Sequence, residues 1–268
     1  MNRKYGKLIF PLLLAVVLLF YGYLSTKDDS GRVGLFIAET IDKIEIPLPI
    51  NDRDEQIISH TGYTVSYNSQ WCIPNWVAYE LTAEKIQGEV PRGDDFVPDP
   101  KVKGRTAITN DYKHSGYDRG HMAPAADMKW SKTAMDESFY MSNICPQNRN
   151  LNKGDWKELE EQGREWALLY NSIYIVCGPI VDSNYTTIGE NRVAIPKAFF
   201  KVFLRKMNNE WTAIGFYFEN KAGNKDLKTY IRTIDEIEAI SNIDFFPLLP
   251  DDIENDIEST INISEWAM

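Results

Sequence analysis

The sequence predicts a mixed α+β domain in which antiparallel strand pairs are separated by helices. Strand patterns come in pairs, at residues 60–82 and 198–219, and helical patterns lie between the pairs rather than in strict βαβ alternation. The composition is 43% hydrophobic, 12% aromatic and 25% charged, so one sizeable core can form. No internal repeat or Gly/Ser linker follows residue 60, which favours a single domain.

The first strand pair is HTGYTVSYNSQWCIPNWVAYELT (60–82), where apolar and polar residues alternate on both sides of a polar turn. Residues 87–104 are proline-rich and acidic, so we expect a loop there, and Arg92 lies inside it. YDRGHMAPA (117–125) indicates a short strand that ends in a turn at Pro124.

Two helices follow. SKTAMDESFYMSNI (131–144) predicts a short helix with Ser131 as its N-cap, followed by extended residues. LNKGDWKELEEQGREWALLY (151–170) predicts a longer one, because its large apolar residues recur at helical spacing and form a stripe.

The second half of the chain alternates again between strands and helix. SIYIVCGPIV (172–181) predicts a buried strand. AFFKVFLRK (198–206) and EWTAIGFYFE (210–219) predict a hairpin that turns at Met207, Asn208 and Asn209. A helical pattern returns in DLKTYIRTIDEIEAI (226–240).

Residues 1–24 form a targeting pattern. MNRKYGK is basic without an acid, and an apolar run from Leu8 to Leu24 follows it. The run is intermediate in length between a signal-peptide core and a membrane span, and no small-residue cleavage site follows, so an uncleaved membrane anchor is favoured over a removed signal. Both alternatives place the body outside the cytoplasm: periplasmic, secreted, anchored facing out or, in a eukaryote, at the mitochondrial inner membrane. Residues 25–59 are expected to form a tether or lead-in.

The net charge of −10 is unevenly distributed. Every charged residue of 235–268 is acidic, whereas the leader is basic and residues 25–234 are nearly neutral. A local basic cleft for nucleic acid is therefore compatible with the overall charge. The acidic residues of 235–268 are interpreted as a solvated face, and residues 256–268 as an acidic tail.

The cysteines do not suggest a zinc site. Cys72, Cys145 and Cys177 have no CxxC spacing. One disulfide with a leftover thiol and three buried free thiols both remain open, with the second favoured.

The candidate chemistry centres on His121. The chain contains three histidines, His60, His114 and His121, and no Walker, dinucleotide-binding, G-x-S-x-G or H-E-x-x-H motif. A neutral imidazole suits proton abstraction from water near pH 7. Arg119, two residues earlier on an extended segment, would lie on the same side and suits a phosphate. His60 and His114 are interpreted as structural and loop residues.

Three further polar residues could complete a phosphodiester-hydrolysing set. Asn143, Asn152 and Glu160 follow downstream, and amide and carboxylate oxygens are hard ligands that suit a hydrated Mg²⁺. Each residue also has an ordinary interpretation. His121 could be structural, Asn152 a helix N-cap and Glu160 part of a solvated face. Trp71, Trp76, Trp130 and Trp156 are interpreted as core residues.

YDRGHMAPAADM (117–128) resembles the D-R-G-H signature of the DNA/RNA non-specific endonucleases, a family of secreted bacterial nucleases and mitochondrial endonuclease G. FYMSNICPQNRNLNKGDWKELE is similar to the family's S-N-x-x-P-Q and L-N-x-x-x-W-x-x-L-E block. GYTVSYNSQWCIPNWVAYELT, VCGPI, IPKAFFKV and TIDEIEAISNIDFFPLLP match the family's other segments in the same order. The resemblance covers residues 60–255, which we therefore predict to be the nuclease domain.

The resemblance implies a ββα-metal core on a mixed sheet and Mg²⁺-dependent endonucleolytic cleavage of DNA and RNA, with Mn²⁺ or another divalent cation as an alternative. The products it implies carry 5′-phosphate and 3′-hydroxyl ends. By position, the resemblance implies that His121 is the general base, Asn152 is the protein ligand of the metal and Glu160 contacts the metal through water. It also implies that Arg119 contacts the phosphate or the leaving group and that Arg92 stabilises the transition state. Asn143 and Asp118 match supporting residues. Two other hypotheses are a nucleic-acid-binding protein without turnover and a phosphodiesterase for small phosphate esters. An uncleaved leader would add the membrane as a partner through residues 8–24.

Overall fold

A seven-stranded sheet forms the centre of the computed structural model, which describes residues 43–268. The strands of the domain are β1 (Gln56–Ser59), β2 (Thr64–Asn68), β3 (Ile73–Thr82), β4 (Asp118–His121), β5 (Ile144–Gln147), β6 (Ser172–Ile180), β7 (Thr187–Ile188), β8 (Val193–Ala194), β9 (Ala198–Met207), β10 (Glu210–Glu219) and β11 (Ile231–Arg232). The order in the large sheet is β1-β2-β3-β6-β9-β10-β11, and every neighbouring pair is antiparallel. Two-stranded sheets are formed by β4 with β5 and by β7 with β8.

The helices lie on both faces of this sheet, which confirms the predicted α+β class. They are α1 (Ala83–Ile86), α2 (Lys132–Glu137), α3 (Arg149–Lys153), α4 (Asp155–Tyr170), α5 (Ile234–Ser241) and α6 (Asp251–Ser259). Ser131 caps α2 as predicted, since its side chain accepts a hydrogen bond from the Ala134 N–H at 3.3 Å.

The alternation of side chains along β9 shows how the sheet is buried on both faces. Phe199 and Phe203 belong to one hydrophobic cluster, together with Trp156 and Trp166 of α4. Phe200, Val202 and Leu204, which alternate with them along the strand, belong to a second cluster on the opposite face, which includes residues of α5 and α6. The predicted hairpin of β9 and β10 is confirmed, and Asn208 and Asn209 make its turn at φ of 50° and 70°.

Two helix predictions need correction. The pattern over 151–170 breaks at Gly154, whose φ of −107° and ψ of −114° separate α3 from α4. The pattern over 226–240 is α-helical only from Ile234, because Leu227–Tyr230 form a short 3-10 helix and Ile231–Arg232 pair with β10 as β11. Thr233 then starts α5 with a capping box to Glu236.

The folded domain extends beyond residues 60–255 at both ends. Ile44–Met268 form one compact unit, and β1 lies within the stretch expected to be a tether. At the other end Trp266, in the expected acidic tail, is 2% exposed and contacts Trp166 at a centroid distance of 4.7 Å. The predicted leader, residues 1–24, and residues 25–42 lie outside the described residues. None of the helices within 43–268 has the length and apolar character needed to span a bilayer.

The structure shows where the cysteines, histidines and tryptophans lie. The cysteines are free and buried. The His60 side chain is buried and lies 2.9 Å from Asp99, whereas His114 is an exposed loop residue with a φ of 59°. Trp76 and Trp156 are fully buried, while Trp71 and Trp130 are half-buried at the edge of the core.

Candidate active site

A ββα unit carries the predicted site residues. β4 pairs antiparallel with β5, in the register Asp118↔Gln147 and His121↔Ile144, and α3 follows β5 after Asn148. Gly120 allows the two strands to approach, because a Cβ at this position would lie 2.2 Å from Gln147 Oε1. The glycine of the D-R-G-H stretch is therefore required by packing.

His121, the last residue of β4, is 8% exposed and packed between aromatic rings. Its ring centre lies 5.3 Å from that of Phe96 and 5.0 Å from that of Phe139, and its Nε2 atom is buried without a hydrogen-bond partner. Burial lowers the pKa of His121 to about 3, and the positive charges of Arg92 and Arg119 act in the same direction. The imidazole is consequently neutral near pH 7 and able to accept a proton.

Two arginines lie over the same aromatic rings that contact this imidazole. The guanidinium carbon of Arg119 lies 4.1 Å from the Phe96 ring centre, and that of Arg92 lies 5.2 Å from the Phe139 ring centre. A backbone bridge between Val97 and Tyr140 attaches the Arg92 loop to the residues after α2. The structure thus brings both predicted arginines to His121.

Asn152 lies inside α3 and is not its N-cap. Asn148 has that role, since its Oδ1 accepts hydrogen bonds from the N–H groups of Asn150 and Leu151. Asn152 Nδ2 instead donates to Asp118 Oδ2 at 3.3 Å. Because the amide nitrogen is used in this way, Oδ1 is the side-chain atom that remains for a ligand.

Asp118 also forms an ion pair with the guanidinium group of Arg149. Its Oδ1 accepts hydrogen bonds from Arg149 Nε at 3.1 Å and Nη2 at 3.0 Å. One carboxylate therefore connects the start of β4 to two residues of α3.

Glu160 lies half-buried in α4 and is surrounded by charged groups. Burial raises the pKa of Glu160 to about 7; Lys201 and Arg164 oppose this change, and Asp127 adds to it. Arg92 also acts on this carboxyl, so its positive charge reaches both His121 and Glu160.

Asn143 acts on the backbone next to His121. Its Oδ1 accepts a hydrogen bond from the Ala123 N–H at 2.9 Å, and its Nδ2 donates to the carbonyls of Ala123 and Ser138, both at 2.8 Å. The Asn143 backbone carbonyl accepts from the Met122 N–H. The side chain thus fixes the turn that follows the imidazole.

Sequence reasoning missed Lys201, Arg164 and Asp127, which contribute to the electrostatics of Glu160. Lys201 is buried in β9, with its Nζ 4.4 Å from the Trp156 ring centre and 3.5 Å from the Met122 carbonyl oxygen. Arg164 Nη1 lies 2.9 Å from Asp127 Oδ1. A lone lysine within an apolar strand, and an arginine four residues after Glu160 on a helix, are signals that could have identified two of them.

An open groove of ≈ 640 Å³ adjoins these residues. Cationic side chains of Lys113, Arg119 and Arg149 line it together with Asp118 and Asn152. Aromatic side chains of Phe96, Tyr112 and Tyr117 also line it. Cations beside aromatic rings suit a polyanion that carries flat bases.

The chain is similar to known nucleases in sequence and in structure. Residues 43–252 match the DNA/RNA non-specific endonuclease family. The chain is 35% identical over 222 residues to the mouse protein "Nuclease EXOG, mitochondrial", covering 76% of this chain but only 60% of the mouse protein. Human "Endonuclease G, mitochondrial" is 33% identical over 207 residues, covering 72% of this chain and 70% of the human protein. A crystal structure of the EndoG/EndoGI complex superposes with a TM-score of 0.70 at 28% identity, covering 74% of this chain and 89% of the other.

Proposed function

Because this chain belongs to the DNA/RNA non-specific endonuclease family, we propose that it hydrolyses phosphodiester bonds within DNA and RNA with the help of a divalent cation. The observation that carries the proposal is the buried, neutral imidazole of His121 between two arginines, beside a groove lined with cations and aromatic rings. General-base chemistry on a phosphate ester needs this combination of a neutral base and fixed positive charge.

In the proposed reaction His121 accepts a proton from the attacking water. The water oxygen forms a bond to phosphorus while the bond from phosphorus to the 3′ oxygen breaks. The products then carry a 5′-phosphate and, once the leaving oxygen is protonated, a 3′-hydroxyl. Arg119 and Arg92 stabilise negative charge on the phosphoryl oxygens and the leaving group, because guanidinium groups keep their charge and present several donors.

The donor set at Asn152 fits a hydrated divalent cation. Its amide oxygen is a hard ligand that remains after Nδ2 has bonded Asp118, and Glu160 supplies a carboxylate that can hold metal-bound water. We propose Mg²⁺ as the physiological ion, with Mn²⁺ or another divalent cation as a substitute. When bound, such an ion neutralises charge that develops on the phosphoryl oxygens.

We also propose that the domain acts outside the cytoplasm or within mitochondria. The basic and apolar leader supports export or anchoring, and the mouse and human relatives are named mitochondrial. Fractionation of cells that express the full chain, followed by N-terminal sequencing, tests this placement. Recovery of the intact protein in the cytosol would contradict it.

The activity is tested by incubating the purified protein with plasmid DNA and with RNA, in Mg²⁺ and in EDTA. We expect cleavage of both nucleic acids in Mg²⁺, and its loss in EDTA and in His121→Ala. His114→Asn is the matched control, because His114 is exposed and asparagine tolerates its left-handed backbone. Plasmid and RNA that stay intact with the wild-type protein would refute the proposal.

Two added measurements separate the other hypotheses. Nucleic-acid binding without Mg²⁺-stimulated cleavage would indicate a binding protein. Hydrolysis of bis-(p-nitrophenyl) phosphate without cleavage of DNA or RNA would indicate a small-ester phosphodiesterase.

A further inference from the structure

Three carboxylates from two helices converge on the face of the sheet opposite α4. Asp235 and Glu238 belong to α5 and Glu258 belongs to α6, and one oxygen from each lies within 4.8 Å of the others. The packing of the helices explains the convergence, since the neighbouring Ile237 and Ile257 are buried in the same hydrophobic cluster. The core contact thus forces the acids together.

Glu258 shows that this is more than a group of surface acids. The residue is 8% exposed, and its Oε1 atom is buried without a hydrogen-bond partner. Leaving a carboxylate oxygen buried and unpaired is costly. Because its carboxyl group lies beside those of Asp235 and Glu238, the unsatisfied group is directed into the cluster.

Glu258 is surrounded by further acidic side chains. Burial, together with the negative charges of Glu238, Glu254, Asp235 and Asp244, raises the pKa of Glu258 to about 8. Glu258 also lies in the last turn of α6, where the helix dipole is negative and disfavours an anion. Burial likewise raises the pKa of Glu238 to about 7, although its Oε1 accepts a hydrogen bond from the Phe245 N–H at 2.7 Å.

We propose that Asp235, Glu238 and Glu258 bind a divalent cation of the Ca²⁺ class, which joins α6 to α5. Three carboxylate ligands suit Ca²⁺, whereas Mg²⁺ keeps most of its waters and seldom occupies an all-protein cage. Ca²⁺ ligands at about 2.3–2.6 Å place opposite oxygens about 4.6–5.2 Å apart. The three oxygens of the cluster lie within 4.8 Å of one another, which is close enough for them to share one ion.

This site is separate from the proposed catalytic centre. His121, Asn152 and Glu160 lie on β4, α3 and α4, and α4 packs on the face that carries Phe199 and Phe203. The helices of the acidic cluster pack on the other face. Glu258 also lies beyond residue 252, where the family match ends. The ion would therefore stabilise the C-terminal part of this chain rather than take part in hydrolysis.

The test uses the full chain carrying Asn152→Ala, so that binding at the proposed catalytic metal site does not obscure the result. Ca²⁺ is titrated calorimetrically into this protein and into the same protein with Glu258→Gln, and the melting temperature is recorded with 10 mM Ca²⁺, 10 mM Mg²⁺ and EDTA. Asp256→Asn is the matched control, an exposed acid on the same helix.

We expect one Ca²⁺ per chain, a rise in Tm of about 5–10 °C when Ca²⁺ exceeds its Kd about 100-fold, and a smaller effect of Mg²⁺. Glu258→Gln should remove both the binding heat and the shift, while Asp256→Asn should retain them. Absence of Ca²⁺ binding in the Asn152→Ala protein would overturn the proposal. It would also be overturned if the Glu258→Gln protein bound Ca²⁺ equally well, or if that substitution raised Tm to the same extent with and without Ca²⁺, since relief of repulsion would then explain the result. Nuclease activity is not a readout, so failure here leaves the proposed function untouched.

Discussion

Asp118 Oδ2 accepts a hydrogen bond from Asn152 Nδ2 at 3.3 Å, and this contact orients the amide proposed to hold the catalytic cation. Asp118 is three residues before His121 on β4, and Asn152 is on α3, so the bond connects the two halves of the candidate site. We therefore propose that the aspartate of D-R-G-H positions this amide. It determines which atom of Asn152 faces away from it.

Asp118→Asn should weaken use of the metal while preserving the fold. An amide at 118 can donate to Asn152 and favours the flipped amide, which would direct a nitrogen instead of an oxygen to the cation. We expect the Mg²⁺ concentration for half-maximal cleavage to rise about 10- to 100-fold, as is typical when a partner of a metal ligand is lost. The measurement is initial plasmid cleavage rate against Mg²⁺ concentration.

Asp182→Asn provides the control for that experiment, because Asp182 is an exposed aspartate paired with Lys197 at 2.5 Å. It should leave the Mg²⁺ dependence unchanged. An unaltered Mg²⁺ curve for Asp118→Asn would show that the contact with Asn152 does not position the ligand.

The buried imidazole of His121 should make stability depend on pH. Its pKa is about 3 in the folded protein and about 6.5 when unfolded, so the unfolded chain binds the proton first as pH falls. The resulting loss in the free energy of unfolding is absent above pH 6.5, grows as pH falls below that value and levels off below about pH 3. Between pH 7 and 5 it should reach about 2 kcal/mol. The carboxyl groups of Glu160, Glu238 and Glu258, whose pKa values are raised, change stability in the opposite direction over this range. Urea unfolding at the two pH values, compared between the wild type and a variant without the imidazole, therefore isolates the His121 contribution.

His121→Asn should reduce this difference in unfolding free energy between pH 7 and 5. His114→Asn is the matched substitution at an exposed histidine and should retain the wild-type difference. If both variants kept the same pH dependence as the wild type, folding would not lower the pKa of the His121 imidazole.

Lys201 should support catalysis through its charge. The ammonium group is buried over Trp156 and opposes the rise of the Glu160 pKa. Lys201→Met removes the charge and keeps the volume, so Glu160 should protonate more readily. We expect cleavage at pH 7 to fall about 10- to 100-fold, with the acid limb of the activity profile at higher pH. Tm should be unchanged or higher, because a buried charge is replaced by an apolar chain.

Lys206→Met separates charge at the site from a general effect of lysine on β9. Lys206 lies on the same strand over another indole, 4.9 Å from the Trp211 ring centre, but is exposed. Its substitution should leave cleavage unchanged. Equal activity of the Lys201→Met protein and the wild type would remove Lys201 from the mechanism.

The C-terminal segment should contribute to stability although it lies past the family match. Trp266 is packed against Trp166, and the Trp166 Nε1 donates to the Ala267 carbonyl at 2.9 Å. Trp266→Ala should lower the free energy of unfolding by about 3–5 kcal/mol. Ile263→Ala, at a partly exposed position of the same segment, should change it by less than about 0.5 kcal/mol. Equal effects of the two changes in urea unfolding would contradict the packing.

Local patterns predicted much of this fold because they act over a few residues. The pattern of apolar and polar residues predicted the β9–β10 hairpin, and Ser131 as an N-cap predicted the start of α2. The break at Gly154 was missed because the apolar stripe continues across it. β11 was missed because its pairing with β10 is a tertiary contact that overrides helical propensity.

The candidate site was predicted in part for the same reason. His121 and Arg119 are two residues apart on a strand, so their common side follows from the sequence. The contribution of Lys201 to Glu160 depends on the order of strands in the sheet, and no local pattern contains that information. The satisfied amide of Asn143 likewise depends on a backbone segment twenty residues earlier in the chain.

Gly120 gives the most direct test of the ββα unit as a packed framework. A methyl group at this position would lie 2.2 Å from Gln147 Oε1 and 2.6 Å from Gln147 Cβ, and the second atom cannot move without the β5 backbone. Gly120→Ala should therefore push β4 away from β5, lower the free energy of unfolding by about 1–3 kcal/mol and reduce cleavage by displacing His121. Gly93→Ala is the control, since its nearest atoms, in the Phe139 ring, lie at an ordinary contact distance of 3.5 Å. The measurements are urea unfolding and plasmid cleavage of both variants. Wild-type stability and activity in Gly120→Ala would show that neither depends on the close approach of β4 and β5.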